Sequence, residues 1–243
     1  MKPIHAIPAA LSAIVLALAA GSADAQVANG NFNGLSGWST DGDAAAASSG
    51  GSHLVLTNAY PGGFDDADGI DRNVSGTAPD STGGSLEGFL GLPANALDAS
   101  PTLQAYEGSA AMQTFTAAAG SQLSFQWNLA TAEAPDATTP DVAFVVIDGQ
   151  LITLGNTLAA TNAPSGGGNF VGQTGWADWS TTLTGSGPHT IAFGVVDIGS
   201  FTDSSELLVT GVSTASAVPE SSTLAMFGAG LALLALQRRR RNA

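Results

Sequence analysis

Between Gln122 and Leu129 the apolar residues Leu123, Phe125, Trp127 and Leu129 occupy every second position, with Ser124, Gln126 and Asn128 between them. Side chains of a strand alternate between its two faces, so this spacing predicts a strand with one apolar face. Thr190–Val196 has the same period through Ile191, Phe193 and Val195. Val142–Ile147 is apolar throughout, as in a strand covered on both faces. Shorter strand signals lie at Leu54–Leu56, at Ser109–Ala117 with Met112 and Phe115, and at Glu206–Val212. No long stretch between residues 26 and 217 carries a helical period. Gly, Pro and Asp separate the strand signals, and Ala132–Pro140 and Asn162–Asn169 read as loops within the series. The pattern predicts an all-β, antiparallel, jelly-roll-like sandwich with Trp38 and Trp127 in its core.

Two apolar segments at the ends do not belong to that pattern. Ile7–Ala20 is apolar apart from Ser12, follows Lys2, and precedes Ala23-Asp24-Ala25. A positive start, an apolar run and a small-x-small site predict a signal peptide over residues 1–25, cleaved after Ala25, with Ala23 and Ala25 as the small residues. At the other end Leu224–Leu236 is a 13-residue apolar run, followed by Arg238, Arg239, Arg240 and Arg241. A stable membrane span needs roughly 20 apolar residues, so this is a short transmembrane helix at most. Arginines stay on the cytoplasmic side, which makes the cluster a stop for a chain that folds outside. The expected organisation is signal peptide 1–25, sandwich ectodomain with a short linker 26–217, and tail 218–243, the flanking segments being helical.

Charge narrows the partners. Of 20 acidic residues, 18 lie between Gln26 and Ala217, where Arg72 is the only Lys or Arg. Nucleic acid is excluded, because phosphate recognition needs cations. Membrane contact is expected only through the two terminal segments. The chain has no cysteine, hence no disulfide or thiolate site. Neutral sugars and divalent cations remain as small partners.

Three sets of residues hold candidate chemistry. Asp65, Asp66, Asp68 and Asp71 surround Gly69, and calcium takes six to eight oxygens, often from closely spaced aspartates on a Gly-kinked loop. Against calcium stands Arg72, which can neutralise part of the cluster. Trp176 and Trp179 are the candidates for stacking on a sugar ring, and their spacing puts them on opposite faces of a strand. No catalytic residues are assigned. His53 and His189 are the only histidines after residue 25, and nucleophile or zinc motifs are missing. Glu87, Glu107, Glu133 and Glu206 are glycosidase carboxylates only by number. Asp141 and Asp197, at strand ends, read as solvated turn residues.

The tail resembles the PEP-CTERM sorting signal through Val218-Pro219-Glu220, the following Ser222-Thr223-Leu224, the Gly-containing apolar run and the arginines. Ser221 stands where that family usually has Pro. The resemblance implies an exosortase as partner, beside the secretion machinery. It also implies a Gram-negative host that makes exopolysaccharide, transient anchoring in the inner membrane, and a final place at the cell surface or in the biofilm matrix. The opening NGNFNGLSGW (residues 29–38) is similar to the first strand of jelly-roll, galactose-binding-like and carbohydrate-binding modules. Residues 107–128, 141–149 and 194–199 resemble an ectodomain recurrent in PEP-CTERM proteins. In related jelly rolls an inherited structural calcium would use the positions of Asn33 and Thr210, neither of which is acidic here. The main reading is an exported, non-enzymatic surface or matrix protein that associates with exopolysaccharide. The alternatives are a dedicated carbohydrate-binding module and a secreted glycan hydrolase.

Overall fold

The computed structural model describes residues 26–47, 51–134, 138–164, 169–216 and 220–241. The expected signal peptide with Ala23 and Ala25, and Val218 and Pro219 of the sorting motif, lie outside them. Residues 24–217 form one compact unit. Helix α2, Glu220–Arg241, belongs to the other unit and ends in the four arginines. Its Met226, Leu231, Leu233, Leu234 and Leu236 are exposed. Among the described residues no helix is long and apolar enough to cross a membrane, in keeping with the shortness of the apolar run.

The body is a jelly-roll-like sandwich of two antiparallel sheets. Its strands are β1 Ser39–Asp41, β2 Asp43–Ala47, β3 His53–Thr57, β4 Asp80–Ser81, β5 Ala105–Ala117 and β6 Gln122–Thr131. They continue with β7 Val142–Ile147, β8 Gln150–Asn156, β9 Gly172–Gln173, β10 Ala177–Thr182, β11 Gly187–Ile198 and β12 Ser205–Ala215. The first sheet runs β1-β5-β11-β7-β8, with β4 also paired to β5. The second runs β10-β6-β12-β3-β2, with β9 also paired to β6.

Period-two positions meet between the sheets. Leu123, Phe125, Trp127 and Leu129 of β6 pack with Ile191, Phe193 and Val195 of β11 and with Val145 of β7. Phe125 sits edge-on to Phe193 with ring centroids 4.8 Å apart. Trp38 and Trp127 are each 8% exposed, as the alternation required. The unbroken apolar run of β7 has a different cause. Its Phe144 and Val146 face outward, where Leu86 and Leu90 of the short helix α1, Ser85–Leu90, cover them. A Cβ on Gly194 would lie 2.2 Å from the Phe144 ring, so glycine is required where the two strands cross under the helix. The β7–β8 hairpin turns at Asp148 and Gly149, both at positive φ, the geometry that suits a right-twisted ribbon.

Strands β2, β8 and β10 left no clear trace in the pattern. β2 is Asp43 followed by four alanines, a composition of low strand propensity. β10 alternates half-buried and exposed residues at the sheet edge.

Candidate functional site

Strand register divides β6 into two chemistries. Its inward residues are the core apolar set, while Ser124, Gln126 and Asn128 point away from the other sheet. Across the second sheet, Ser180, Ser124 and Ser213 form one outward row, and Asp178 and Gln126 with Thr210 form the next. Then come Asn128, Leu208, Val55 and Ala45, and finally Ala130, Glu206, Thr57 and Asp43. A shallow cleft of about 450 Å³ opens on this face beside Gln122, Ser124, Gln126, Asp178, Ser180 and the bulge at Gly211. Gln126 Nε2 donates to Asp178 Oδ1 at 2.8 Å, which fixes the amide in the floor.

The two candidate tryptophans separate as their spacing required. Trp179 is half-buried and stacks on Phe125, with centroids 4.8 Å apart and planes 21° apart. Trp176 is 47% exposed and meets His53 edge-to-face at 6.1 Å. The partner identifies where Trp176 lies. β10 and β3 are separated by β6 and β12, which is about 14 Å at the usual strand spacing. The two rings therefore lean toward each other over the outward face. His53 Nδ1 sits 2.8 Å from the Gly51 carbonyl, an acceptor, so that nitrogen carries the proton.

Glu206 stands on the same face, half-buried, with no side-chain hydrogen bond. Burial, and then the nearby Asp43, push its carboxyl up to about 7. Asp43 is fully buried and accepts bonds from Thr57 Oγ1, Val74 N, and both N and Oγ of Ser75. On the other side Asn128 donates to Gln173, whose amide donates to the Ala163 carbonyl. Residues 73–75 on one side, and Ala163 and Gln173 on the other, thus flank the face.

The acidic loop after β3 has a different architecture from the calcium loop its sequence suggests. Arg72 reaches Asp66 at 2.8 Å and Asp68 at 2.7 Å. Asp66 also accepts from Ser204 N and Oγ, Asp65 from Tyr60 N, Asp68 from Ile70 N, and Asp71 from Asn73 N. The bond from Arg72 holds the Asp68 carboxyl down at about 2. Each of the four carboxylates is tied to a donor of the protein, and the cation between Asp66 and Asp68 is a guanidinium. Among the described residues no three or more His, Asp or Glu side chains are grouped to hold a metal. Asn33 and Thr210 are not joined either: Asn33 N donates to Asn29 Oδ1, and Thr210 Oγ1 to the Ser52 carbonyl.

Asp141 and Asp197 are not solvated turn residues, contrary to their reading from sequence. They are 0% and 2% exposed. Glu107, Asp197 and Asp141 lie on neighbouring strands of the first sheet, on its inward side, at the end of the sandwich. Asp197 continues the inward alternation of Ile191, Phe193 and Val195, and a bulge on β5 sets Tyr106 and Glu107 opposite it. Asn58, Ser205 and Ile198 N donate to Asp141. Asp197 Oδ1, Glu107 Oε1 and Asp65 Oδ1 are buried without a partner. Burial, then the charge on Asp141, raises Asp197 to about 11, and burial, then Glu133, raises Asp141 to about 8. Glu107 rises to about 7, chiefly through burial. Perturbed acids often mark active sites. These form a buried polar layer, at most 8% exposed, and none of them lines the cleft on the outward face.

No protein-family model matches the chain, and no curated protein matches it. Among solved structures it is similar to TmCBM61, determined in complex with β-1,4-galactotriose, at 10% identity and a TM-score of 0.39 over 78% of this chain and 97% of that one. It is also similar to the K3 adhesin domain of Lys-gingipain from Porphyromonas gingivalis, at 13% identity and 0.41 over 79% and 99%. A structure described as a CBM4 matches at 13% identity and 0.32 over 76% and 99%. Likeness at this level does not transfer a ligand or an activity.

Proposed function

We propose that the protein is an exported, non-enzymatic glycan-binding module whose binding face is the outward side of the β10-β6-β12-β3-β2 sheet. The observation that carries this is the exposed indole of Trp176, set against His53 beside a polar cleft. A pyranose has one face of C–H bonds, which packs on an aromatic ring, and a rim of hydroxyls, which needs donors and acceptors. The face offers both: the exposed Trp176 indole, and in the cleft Gln122, Ser124, Gln126, Asp178 and Ser180. Its shallowness suits a chain passing over the surface rather than a small molecule engulfed by a pocket. No reaction is assigned in this reading: Asp141, Asp197 and Glu107 lie in the buried layer, and none of them lines the cleft.

Export and sorting complete the proposal, on sequence alone. Residues 1–25 direct secretion, and the tail from Val218, with its short apolar helix and arginines, is removed by an exosortase. The body is then left at the surface or in an exopolysaccharide matrix.

Two measurements test these parts separately. On a glycan array followed by calorimetry, the secreted protein should bind at least one oligosaccharide. Trp176→Ala should weaken that binding about tenfold or more, the scale of stacking on an aromatic ring. Binding that ignores Trp176 moves the site elsewhere. For sorting, the intact mass of the extracellular protein should lack residues 1–25 and the tail. A mass that retains Leu224–Ala243 overturns the sorting part and leaves the binding face untouched.

A further inference from the structure

We infer that Asp178 sets the specificity of this face, which selects sugars that present two neighbouring free hydroxyl groups and carry no acidic group, an inference that rests on the glycan-binding reading. Trp176, Asp178 and Ser180 alternate outward along the β10 edge, and all three are exposed. An open path about 13 Å long therefore runs from the indole past the carboxylate to the serine. Asp178 and Gln126 stand opposite each other in the β10–β6 ladder, and both line the cleft. Gln126 Nε2 donates to Asp178 Oδ1 at 2.8 Å, which settles which end of the amide meets the carboxylate. Two acceptors are left side by side, Gln126 Oε1 and Asp178 Oδ2, and neither takes a donor from the described residues.

Two hydroxyls on adjacent ring carbons give one donor to each of those oxygens. The bond to the carboxylate is charge-assisted, roughly twice as strong as a neutral one. An ether or ester at either position has no proton to give and leaves an acceptor unpaired under the sugar. A uronic acid or a sulfated sugar brings like charge to Asp178, and no Lys, Arg or His lines the cleft to neutralise it. Arg72, the only Lys or Arg between Gln26 and Ala217, is held by Asp66 and Asp68. The row of Ser180, Ser124 and Ser213 lies about 7 Å further along the strands. Its hydroxyls donate or accept alike, so they hold further hydroxyls of the sugar without choosing among them. Asp178 alone in the lining combines a fixed charge with an obligatory need for donors.

The experiment is calorimetry on the secreted protein with a panel of neutral hexose oligomers of different linkage, the uronic acid oligomer of each linkage and the O-methylated form of each. At least one neutral oligomer should bind, and its uronic and methylated counterparts should bind about tenfold more weakly. The deficit of the uronic form should shrink as salt rises. Asp178→Asn keeps an oxygen for Gln126 Nε2 but removes the charge. It should weaken the neutral oligomer about tenfold and bring the ratio of neutral to uronic affinity close to one, a change that loss of structure does not produce. Equal affinity of the parent for neutral and uronic oligomers, or a ratio that Asp178→Asn leaves unchanged, overturns the inference. If that binding is still lost in Trp176→Ala, the glycan reading stands. Binding that survives both variants overturns the inference and moves the site elsewhere. No binding of any neutral oligomer overturns it too, while an array hit on another class of glycan keeps the glycan reading.

Discussion

The loop after β3 and the end layer of the first sheet both bury carboxylates, but only the loop has a cation. In the loop, Asp66 and Arg72 are both almost completely enclosed, and the ion pair is completed by Ser204 and by Arg72 donating to the Asn169 carbonyl. In the layer, Glu107, Asp197 and Asp141 have Asn58, Ser205 and a backbone amide among them, and Asp197 Oδ1 and Glu107 Oε1 remain buried without a partner. A buried charge without a counterion is so costly that the group keeps its proton instead. The same residue type therefore carries charge in one place and a proton a short distance away.

The largest expected effect comes from breaking the compensated side. Arg72→Met removes the guanidinium but leaves Asp66 buried, and should cost about 3–5 kcal/mol in urea unfolding. It should also free residues 169–170, since Arg72 binds the Asn169 carbonyl and lies 5.5 Å from the Phe170 ring centroid. A loss below about 1 kcal/mol would mean the pair is solvated and the contrast is wrong.

The uncompensated side should respond to pH. In the unfolded chain these carboxyls titrate near 4, whereas folding raises Glu107 to about 7 and Asp197 to about 11. Between those values the folded state holds the additional protons, so stability falls as pH rises. The layer's contribution is fully present near pH 4 and is lost progressively above it, by a few kcal/mol at pH 9. Asp197→Asn, which keeps a donor beside Asp141 and removes a titrating acid, should flatten that decline and raise the melting temperature at pH 8 by several degrees. A stability curve rising from pH 5 to 9, or an Asn variant less stable than the parent at pH 8, would show that the layer is ionised and solvated.

The smallest effect sharpens the loop. With Asp66 and Asp68 on Arg72, millimolar calcium should shift the melting temperature of the parent no more than magnesium does. A calcium-specific rise, abolished by replacing Asp66 and Asp68 together with Ala, would return the loop to the metal chemistry its sequence suggests.

The legible part of this protein was the part governed by local periodicity. Alternation at 122–129 and 190–196 located the two central core strands and the inward side of each. The unbroken run at 142–147 announced cover on both faces, which helix α1 supplies. The spacing of Trp176 and Trp179 separated an outward ring from an inward one. β10 and β2 were missed because edge strands of Ala, Ser, Thr and Asp are stabilised by their neighbours' hydrogen bonds, which leave no local signature. The site was half visible. Trp176 was named in advance, but its partner His53 lies more than a hundred residues away in the chain, and only strand order brings the two to one face.

Sequence by itself determined the sandwich class, the apolar interior and the lack of cysteine, because composition and period-two burial are properties of the chain alone. Tertiary structure decided the state of the carboxylates. Asp66 gained a guanidinium partner and two Ser204 donors when folding delivered Arg72 and Ser204 to it. Asp197 changed from a turn residue to a buried acid when β11 continued past Val196 and its alternation carried Asp197 inward between Glu107 and Asp141. Charge in a protein is set by the donors and counterions within a few ångströms, and which those are is fixed by strand pairing across the whole chain.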